Sequence, residues 1–353
     1  MEHYCIIGTS AAGLSAAETI RKIKPKAKIT LISKHLGLPY SRVLLPFVLD
    51  KTLKKEEIFI RPKNYYSSWN FDFIGGRKVI NIEPQHFKII LDNGKKITYE
   101  NLLIATGAKP LLPDIPGINL NGVFCFRSIK DAENIENYIK NVNSALVIGG
   151  GLIGIKIATS LQKRGLNITI VELQNRILPQ VLDSTGSSIV NEILYKNGIK
   201  IITNASVISI EGKNKVEYVN LSTGHRISCK MVIICIGIKP NIDFLNESQI
   251  KINHGIIANK YLQTNIPNIY AAGDVAEVYD LVLKKYSLHP TWPVATEQGR
   301  IAGYNMCGIK APYQGAIISN AFKIKELHII SAGIIEPPDN QKYKNIAIYD
   351  EKR

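Results

Sequence analysis

The residues of this chain best placed to do chemistry sit in glycine-rich turns. The most complete turn is Ala145-Leu-Val-Ile-Gly149-Gly-Gly151-Leu-Ile-Gly154, followed by a helical run to Arg164, then Gly165 and a second apolar run, Asn167-Ile-Thr-Ile-Val171-Glu172. The spacing of Gly149, Gly151 and Gly154 predicts a buried strand turning directly into a helix, whose free N–H groups and positive dipole end suit a pyrophosphate. Gly149 permits the tight turn, Gly151 lets phosphates approach the backbone, and Gly154 lets the helix pack on the strand. Leu152 and Ile153 begin that helix and Gly165 ends it. A carboxylate at the end of the second strand, Glu172, accepts hydrogen bonds from both hydroxyls of an adenosine ribose and repels a 2′-phosphate. NAD is therefore expected over NADP, a preference that Arg176 weakens slightly.

A second turn of the same kind opens the chain. Tyr4-Cys-Ile-Ile7 runs into Gly8-Thr9-Ser10-Ala11-Ala12-Gly13, a helix to about Lys24, Pro25, and the strand Lys28-Ile-Thr-Leu-Ile32. Ser10 replaces the middle glycine and Ser33 the strand-end acid. A small residue still allows phosphate approach, and a hydroxyl holds a ribose less firmly. The halves match further on, because Leu91 to Gly107 aligns without a gap on Leu221 to Gly237, each reading as a hairpin, a buried strand and a glycine. Short-strand patterns precede both, Phe71 to Ile82 and Ile199 to Ile210. The expected fold is α/β, with two Rossmann-like dinucleotide-binding domains in series.

The rest of the chain must hold these turns in place. After Gly237 come Lys239-Pro-Asn, an irregular stretch, and Ile269-Tyr-Ala-Ala-Gly273-Asp274, a short strand ending in a glycine and an acid. His289-Pro-Thr291-Trp-Pro293-Val294-Ala295 leads into a helix with Thr291 as its expected cap and Pro293 in its first turn. Gly299 and Gly303, four apart, give that helix a face another backbone can approach.

Composition narrows the function classes. A chain of 353 residues, 45% of them hydrophobic, supports two or three domains. No apolar run approaches the roughly 20 residues of a membrane span. Met1-Glu-His-Tyr opens into a strand without a basic leader, so a cytoplasmic chain is expected. The five cysteines form no CxxC or CxxxxC pair, which argues against a disulfide framework, a zinc site or an iron–sulfur site. The net charge of +15 favours acidic partners, but the lysines are spread out and no basic helix or aromatic platform points to nucleic acid.

Two GxGxxG-type units, Ala105-Thr106-Gly107 between them, and a late Ala272-Gly273-Asp274 together resemble the FAD/NAD-linked pyridine nucleotide-disulphide oxidoreductases over nearly the whole chain. The resemblance implies a glutathione-reductase-like arrangement: an FAD domain from 1–113 and 238–312, an NAD domain from 114–237, and a short C-terminal α+β interface segment, 313–353. By this likeness Gly8 to Gly13 hold the FAD pyrophosphate, Ser33 and Lys34 lie at the adenosine ribose, and the Val79 backbone meets the adenine. Ala105, Thr106 and Gly107 hold the cofactor where the chain leaves the first domain, with Gly237 in the matching place in the second. Gly273 and Asp274 hold the ribityl or phosphate portion. The helix opening at Pro293 and Val294 points its positive end at the flavin N1–C2 region.

In the family, disulfide reductases carry a cysteine pair just after the FAD fingerprint, and NADH oxidases and peroxidases carry one cysteine there. Leu36-Gly-Leu-Pro39-Tyr40-Ser41-Arg42-Val-Leu-Leu-Pro46 has none. It is similar instead to the Pro-Tyr-x-Arg stretch of rubredoxin reductases, ferredoxin reductases and the flavin part of NADH-dependent nitrite reductases, which implies that Tyr40 and Arg42 lie beside the FAD. Family members commonly pair a lysine near flavin N5 with a glutamate on the NAD helix. Pro46 and Lys156 occupy those places here, so Lys156 is the candidate to supply positive charge from the NAD side. The implied function is an FAD-dependent NADH:acceptor oxidoreductase, with a rubredoxin- or ferredoxin-like acidic electron carrier or a nitrite-reductase-type partner as acceptor. An NADH oxidase using oxygen and a flavin- and NAD-binding subunit of a larger redox complex are the alternatives. Relatives continue beyond a segment like Ser331-Ala-Gly-Ile-Ile-Glu-Pro-Pro through further strands of an interface domain that often pairs subunits; this sequence stops at Arg353, so the homodimer that the resemblance implies is expected less firmly than the fold.

Overall fold

The computed structural model describes residues 2–337 together with Ile346 and Ile348. The chain opens with β1 (His3–Ile7), α1 (Ala11–Ile23) and β2 (Lys28–Ser33). Two short helices, α2 (Leu45–Leu49) and α3 (Tyr65–Ser68), precede β3 (Asp72–Gly75). An antiparallel meander of β4 (Val79–Glu83), β5 (Lys88–Leu91) and β6 (Lys96–Thr98) then leads to β7 (Asn101–Ile104) and β8 (Ala108–Pro110).

The plan repeats. After β9 (Val123–Cys125) and α4 (Ile129–Tyr138) come β10 (Ser144–Ile148), α5 (Leu152–Lys163), β11 (Asn167–Val171), α6 (Ser184–Lys196) and β12 (Lys200–Ile202). A second meander, β13 (Val207–Glu211), β14 (Tyr218–Leu221) and β15 (Arg226–Ser228), precedes β16 (Val232–Ile234) and β17 (Ile238–Pro240). The chain then forms β18 (Ile256–Ile257), β19 (Ile269–Ala271), β20 (Ala276–Tyr279), β21 (Tyr286–Leu288), α7 (Trp292–Met306), β22 (Ser319–Ile324) and β23 (Leu327–Ala332).

Two parallel sheets carry the architecture, ordered β19-β7-β1-β2-β3 and β12-β11-β10-β16-β9. Beyond their first residues, His3 and Ser144, the central strands β1 and β10 carry only buried, largely apolar side chains because both faces are covered. Ile6, Leu103, Leu146 and Ile233 are wholly buried, each contributing about 1.5–3 kcal/mol of transfer free energy. The internal repeat is kept down to its irregularities. Val79 pairs with Leu91 and Val207 with Leu221, and each first strand shifts register in its second step. The turn glycines Gly94 and Gly224 both adopt positive φ, 79° and 83°. The two connecting strands pair with each other, β8 antiparallel to β17, so the chain crosses between the sheets twice at one place.

The glycine face of α7 lies on α1. A Cβ on Gly299 would stand 2.1 Å from Ala12 O, and one on Gly303 2.9 Å from Thr19 Cβ. Of the expected C-terminal α+β segment, the described part includes the β22–β23 hairpin, which packs through Ile324 and Ile329 into the core around β10 and β11; residues 338–345, 347 and 349–353 lie outside the described residues. Among the described residues no helix is long and apolar enough to cross a membrane.

Candidate functional site

The two fingerprint turns are built alike. Gly8, at φ 115°, donates its N–H to Ile32 O at 2.8 Å, and Gly149, at φ 104°, donates to Val171 O at 2.8 Å. A Cβ on Gly8 would stand 2.1 Å from Ala105 O, and one on Gly149 2.4 Å from Cys235 O. Gly13 and Gly154 face the carbonyls of Gly8 and Gly149, which a Cβ would approach to 1.9 and 2.0 Å. Gly151 faces open space, with nothing within 4 Å of an added Cβ. Four glycines thus close the turns, and Gly151 keeps a surface clear.

The longer helices fall into two groups by how their first turns are capped. Among the described residues five helices reach ten residues or more. α4 and α6 are capped by Ser128 and Asp183 side chains. α1, α5 and α7 have no side-chain cap and no acid in the first turn. Their first N–H groups and positive dipole ends are left for something else to satisfy. Thr291 occupies the N-cap position of α7 as expected, yet its hydroxyl makes no capping bond.

All three uncapped helices contribute to one cleft of about 440 Å³ at the carboxyl ends of β1, β2, β7 and β19. Gly8, Thr9, Ser10, Ala11 and Ala12 line it from the first turn, and Ser33 and Lys34 from the end of β2. Tyr40 and Arg42 come from the following loop and Val79 from the start of β4. Ala105, Thr106 and Gly107 follow β7, and Gly273 and Asp274 follow β19. Gly13 is turned into the helix–strand contact instead. Pro293 and Val294 lie in the first turn of α7, but Thr291, Trp292 and Ala295 are the residues that line the cleft there. Of the second fingerprint only Ile153 reaches the cleft; Gly149, Gly151, Leu152, Gly154, Glu172 and Gly237 do not line it.

The cleft is electropositive. Lys34, Arg42, Arg77, Lys78, Lys109 and Arg127 all line it. Burial, then the charges of Arg42, Lys78 and Arg127, push the Lys34 ammonium down from its ordinary pKa. Burial and the charges of Arg42 and Lys34 likewise push His35 down. Arg127 bridges the two sheets: its Nη2 donates to Asp274 Oδ2 at 2.6 Å and its Nε to Ala108 O at 2.8 Å. The uncapped ends of α1 and α7, a Ser10 side chain not used as a cap, and six cations set against two carboxylates, Asp243 beside Lys109 and Asp274 beside Arg127, fit a group carrying a pyrophosphate, and the residues suit FAD.

Arg127, Asn241 and Trp292 escaped the sequence reading. Arg127 precedes the Ser128–Asp131 capping box and belongs to no phosphate motif. Asn241 donates to Thr106 O at 2.9 Å and accepts from Thr106 Oγ1 at 2.9 Å through its own carbonyl. Its place beside Gly107 follows from the β8–β17 pairing, which the repeat hinted at only by symmetry.

On the second fold, Glu172 is buried under the fingerprint. Its Oε2 accepts from Gly150 N at 2.6 Å and its Oε1 from Gln174 N at 2.8 Å. Lys156 is half-buried on α5, and burial pushes its ammonium down. It shares a helix face with Ile153 at the cleft and with Ser160, whose hydroxyl donates to Pro46 O at 3.0 Å. Lys156 itself does not line the cleft. Arg176 turns to Glu336, at 2.5 Å.

Comparison with known proteins agrees with this geometry. Residues 2–299 match the family model described as pyridine nucleotide-disulphide oxidoreductase. An NADH oxidase of Methanocaldococcus jannaschii is 36% identical over 97% of this chain and 78% of its own length. An NADH-rubredoxin oxidoreductase of Clostridium acetobutylicum is 33% identical over 94% of this chain and 81% of its own. The assimilatory nitrate reductase electron transfer subunit of Bacillus subtilis is 30% identical over 98% of this chain, which spans 44% of that longer protein. Among solved structures, an NAD-dependent persulfide reductase from A. fulgidus superposes with a TM-score of 0.90 at 29% identity, over 94% of this chain and 64% of that one. With the fold, both fingerprints and the cleft in agreement, the chain belongs to the pyridine nucleotide-disulphide oxidoreductase family and is an FAD-dependent NAD(P)H oxidoreductase.

Proposed function

We propose that the protein takes hydride from NADH and passes electrons to a small acidic electron-carrier protein of the rubredoxin or ferredoxin kind, or to a nitrite-reductase-type partner. FAD, when bound, supplies the hydride acceptor and the one-electron outlet. The observation that carries the reading is a cleft lined by Tyr40 and Arg42 with no cysteine among its lining residues. Burial pushes both thiols nearest the second fingerprint up, Cys125 to about 11 and Cys235 upward, so neither is poised as a thiolate. A dithiol relay therefore has no nucleophile to start from, and electrons leave by another route.

The chain's own residues bind, orient and shield. The α1 end and the Ser10 hydroxyl hold the pyrophosphate, while the α7 end faces the ring. Glu172, fixed by two backbone N–H groups, presents its remaining lone pairs to a ribose and disfavours a 2′-phosphate. Lys156 lends positive charge from the NAD side. The basic rim of Lys34, Arg77, Lys78 and Lys109 attracts an acidic carrier at rates that fall with salt. The free cysteines among the described residues suit a reducing, cytoplasmic setting.

Anaerobic mixing with NADH tests the first half: the yellow colour bleaches, and a colourless protein that takes up no FAD sinks the reading. Turnover with rubredoxin or ferredoxin against oxygen alone tests the second. The relative named NADH oxidase favours oxygen as the competing acceptor, and full turnover with oxygen and none with carriers would select it.

A further inference from the structure

On the reading that a nicotinamide dinucleotide lies across Gly149–Gly154, the loop 172–178 borders its adenosine end. The loop is clasped to that turn at both ends. Gly150 N–H donates to Glu172 Oε2 at 2.6 Å, and Leu178 N–H to Gly150 O at 2.9 Å. Residues between these clasps stand where the adenosine ribose of such a ligand arrives.

Arg176 is the only cation between Glu172 and Asp183. Its guanidinium reaches Asn175 Oδ1 and Pro179 O only at 3.4 Å, and its Nε is buried without a partner among the described residues. Glu336 meets the charge, Oε1 to Nη2 at 2.5 Å. Glu336 follows β23, and the β22–β23 hairpin shares an apolar cluster with Ile177 and Leu178 through Ile324 and Ile329. An element outside both nucleotide folds therefore holds the one cation of the ribose loop.

We propose that Glu336 sets the nucleotide preference of this protein by keeping Arg176 from a 2′-phosphate. A 2′-phosphate is gripped by a guanidinium free to offer two parallel hydrogen bonds. Glu336 Oε1 stands against one arm of that guanidinium, Nη2, and its charge adds to that of Glu172 in repelling the phosphate. NADH carries a hydroxyl at this position and needs no cation there. Glu336 is itself mostly exposed, 61% by side chain, so its replacement leaves the fold intact.

The test uses E336Q, R176Q and the double variant, with two readouts. One is the ratio of kcat/KM for NADPH to that for NADH. The other is calorimetric binding of adenosine 2′,5′-bisphosphate against AMP, which needs no flavin turnover. E336Q is expected to raise the ratio and the bisphosphate affinity about tenfold, one charge-assisted bond's worth. Its NADH constants stay within about twofold, as for an exposed ion pair. Adding R176Q returns both readouts to the wild-type level. No change in E336Q overturns the proposal, and so does a gain that survives R176Q, because Glu336 would then act without Arg176. Failure of the underlying reading looks different: no form of the protein then binds AMP or is reduced by NADH, and both ideas fall together.

Discussion

Arg127, just after the second sheet's β9, and Asp274, just after the first sheet's β19, form an ion pair 2.6 Å long in the wall of the cleft, with about a fifth of each side chain exposed. The pair ties the start of α4 to the turn after β19.

Replacing Arg127 with alanine removes one cation facing the pyrophosphate and leaves Asp274 unmatched. The loss of a charge-assisted bond, roughly 1.5–3 kcal/mol, predicts an apparent Kd for FAD raised about 10- to 100-fold, measured by flavin fluorescence on reconstitution. An unchanged Kd would show that Arg127 serves only to join the domains.

Gly149→Ala and Gly151→Ala separate folding from binding within one turn. Alanine at 149 must hold φ near 104° and bring Cβ to 2.4 Å from Cys235 O, so a loss of a few kcal/mol in urea unfolding is expected. Alanine at 151 meets nothing, so the unfolding midpoint stays put while NADH affinity falls at least roughly tenfold, by obstruction of the phosphates. Equal affinity in the two backgrounds would remove the dinucleotide from this turn.

Asp280 and His289 are a buried pair, 2.8 Å apart, behind the first turn of α7. Burial alone would raise the Asp280 carboxyl, but N–H groups of Leu283 and Val282 and the His289 ring outweigh it and hold it below the ordinary range. A carboxyl depressed in the folded state stabilises above its unfolded pKa, about 3.9, and loses that contribution as pH falls through the lower folded value. Asp280→Asn should therefore cost about 1.5–3 kcal/mol at pH 7, with the gap to wild type narrowing below about pH 4. A gap that stays constant down to pH 3 would contradict the assignment.

Lys156→Ala addresses the charge on the NAD side. If Lys156 acts on the flavin as proposed, removing this half-buried cation of α5 disfavours added negative charge, so the flavin midpoint potential should move negative, on the order of 30 mV for a two-electron couple, with slower reduction by NADH. A potential and rate equal to wild type would reduce Lys156 to a helix surface residue.

Backbone demands were legible in the sequence because they allow few residue types. Gly8, Gly149 and their partners Gly13 and Gly154 are required by carbonyls about 2 Å from any Cβ, and runs such as Leu102 to Ile104 are required by burial on both faces. The gapless match of Leu91–Gly107 with Leu221–Gly237 carried the repeat to its register. What the chain order could not reveal were contacts between side chains far apart in sequence. Arg127 reaches across 147 positions to Asp274, Asn241 across 135 to Thr106, and Glu336 across to Arg176, where any flexible side chain with the right charge would have looked the same on paper. Glycines and apolar runs are specified locally by sterics and burial, whereas the partner of a long charged side chain depends on where two folds come to rest against each other.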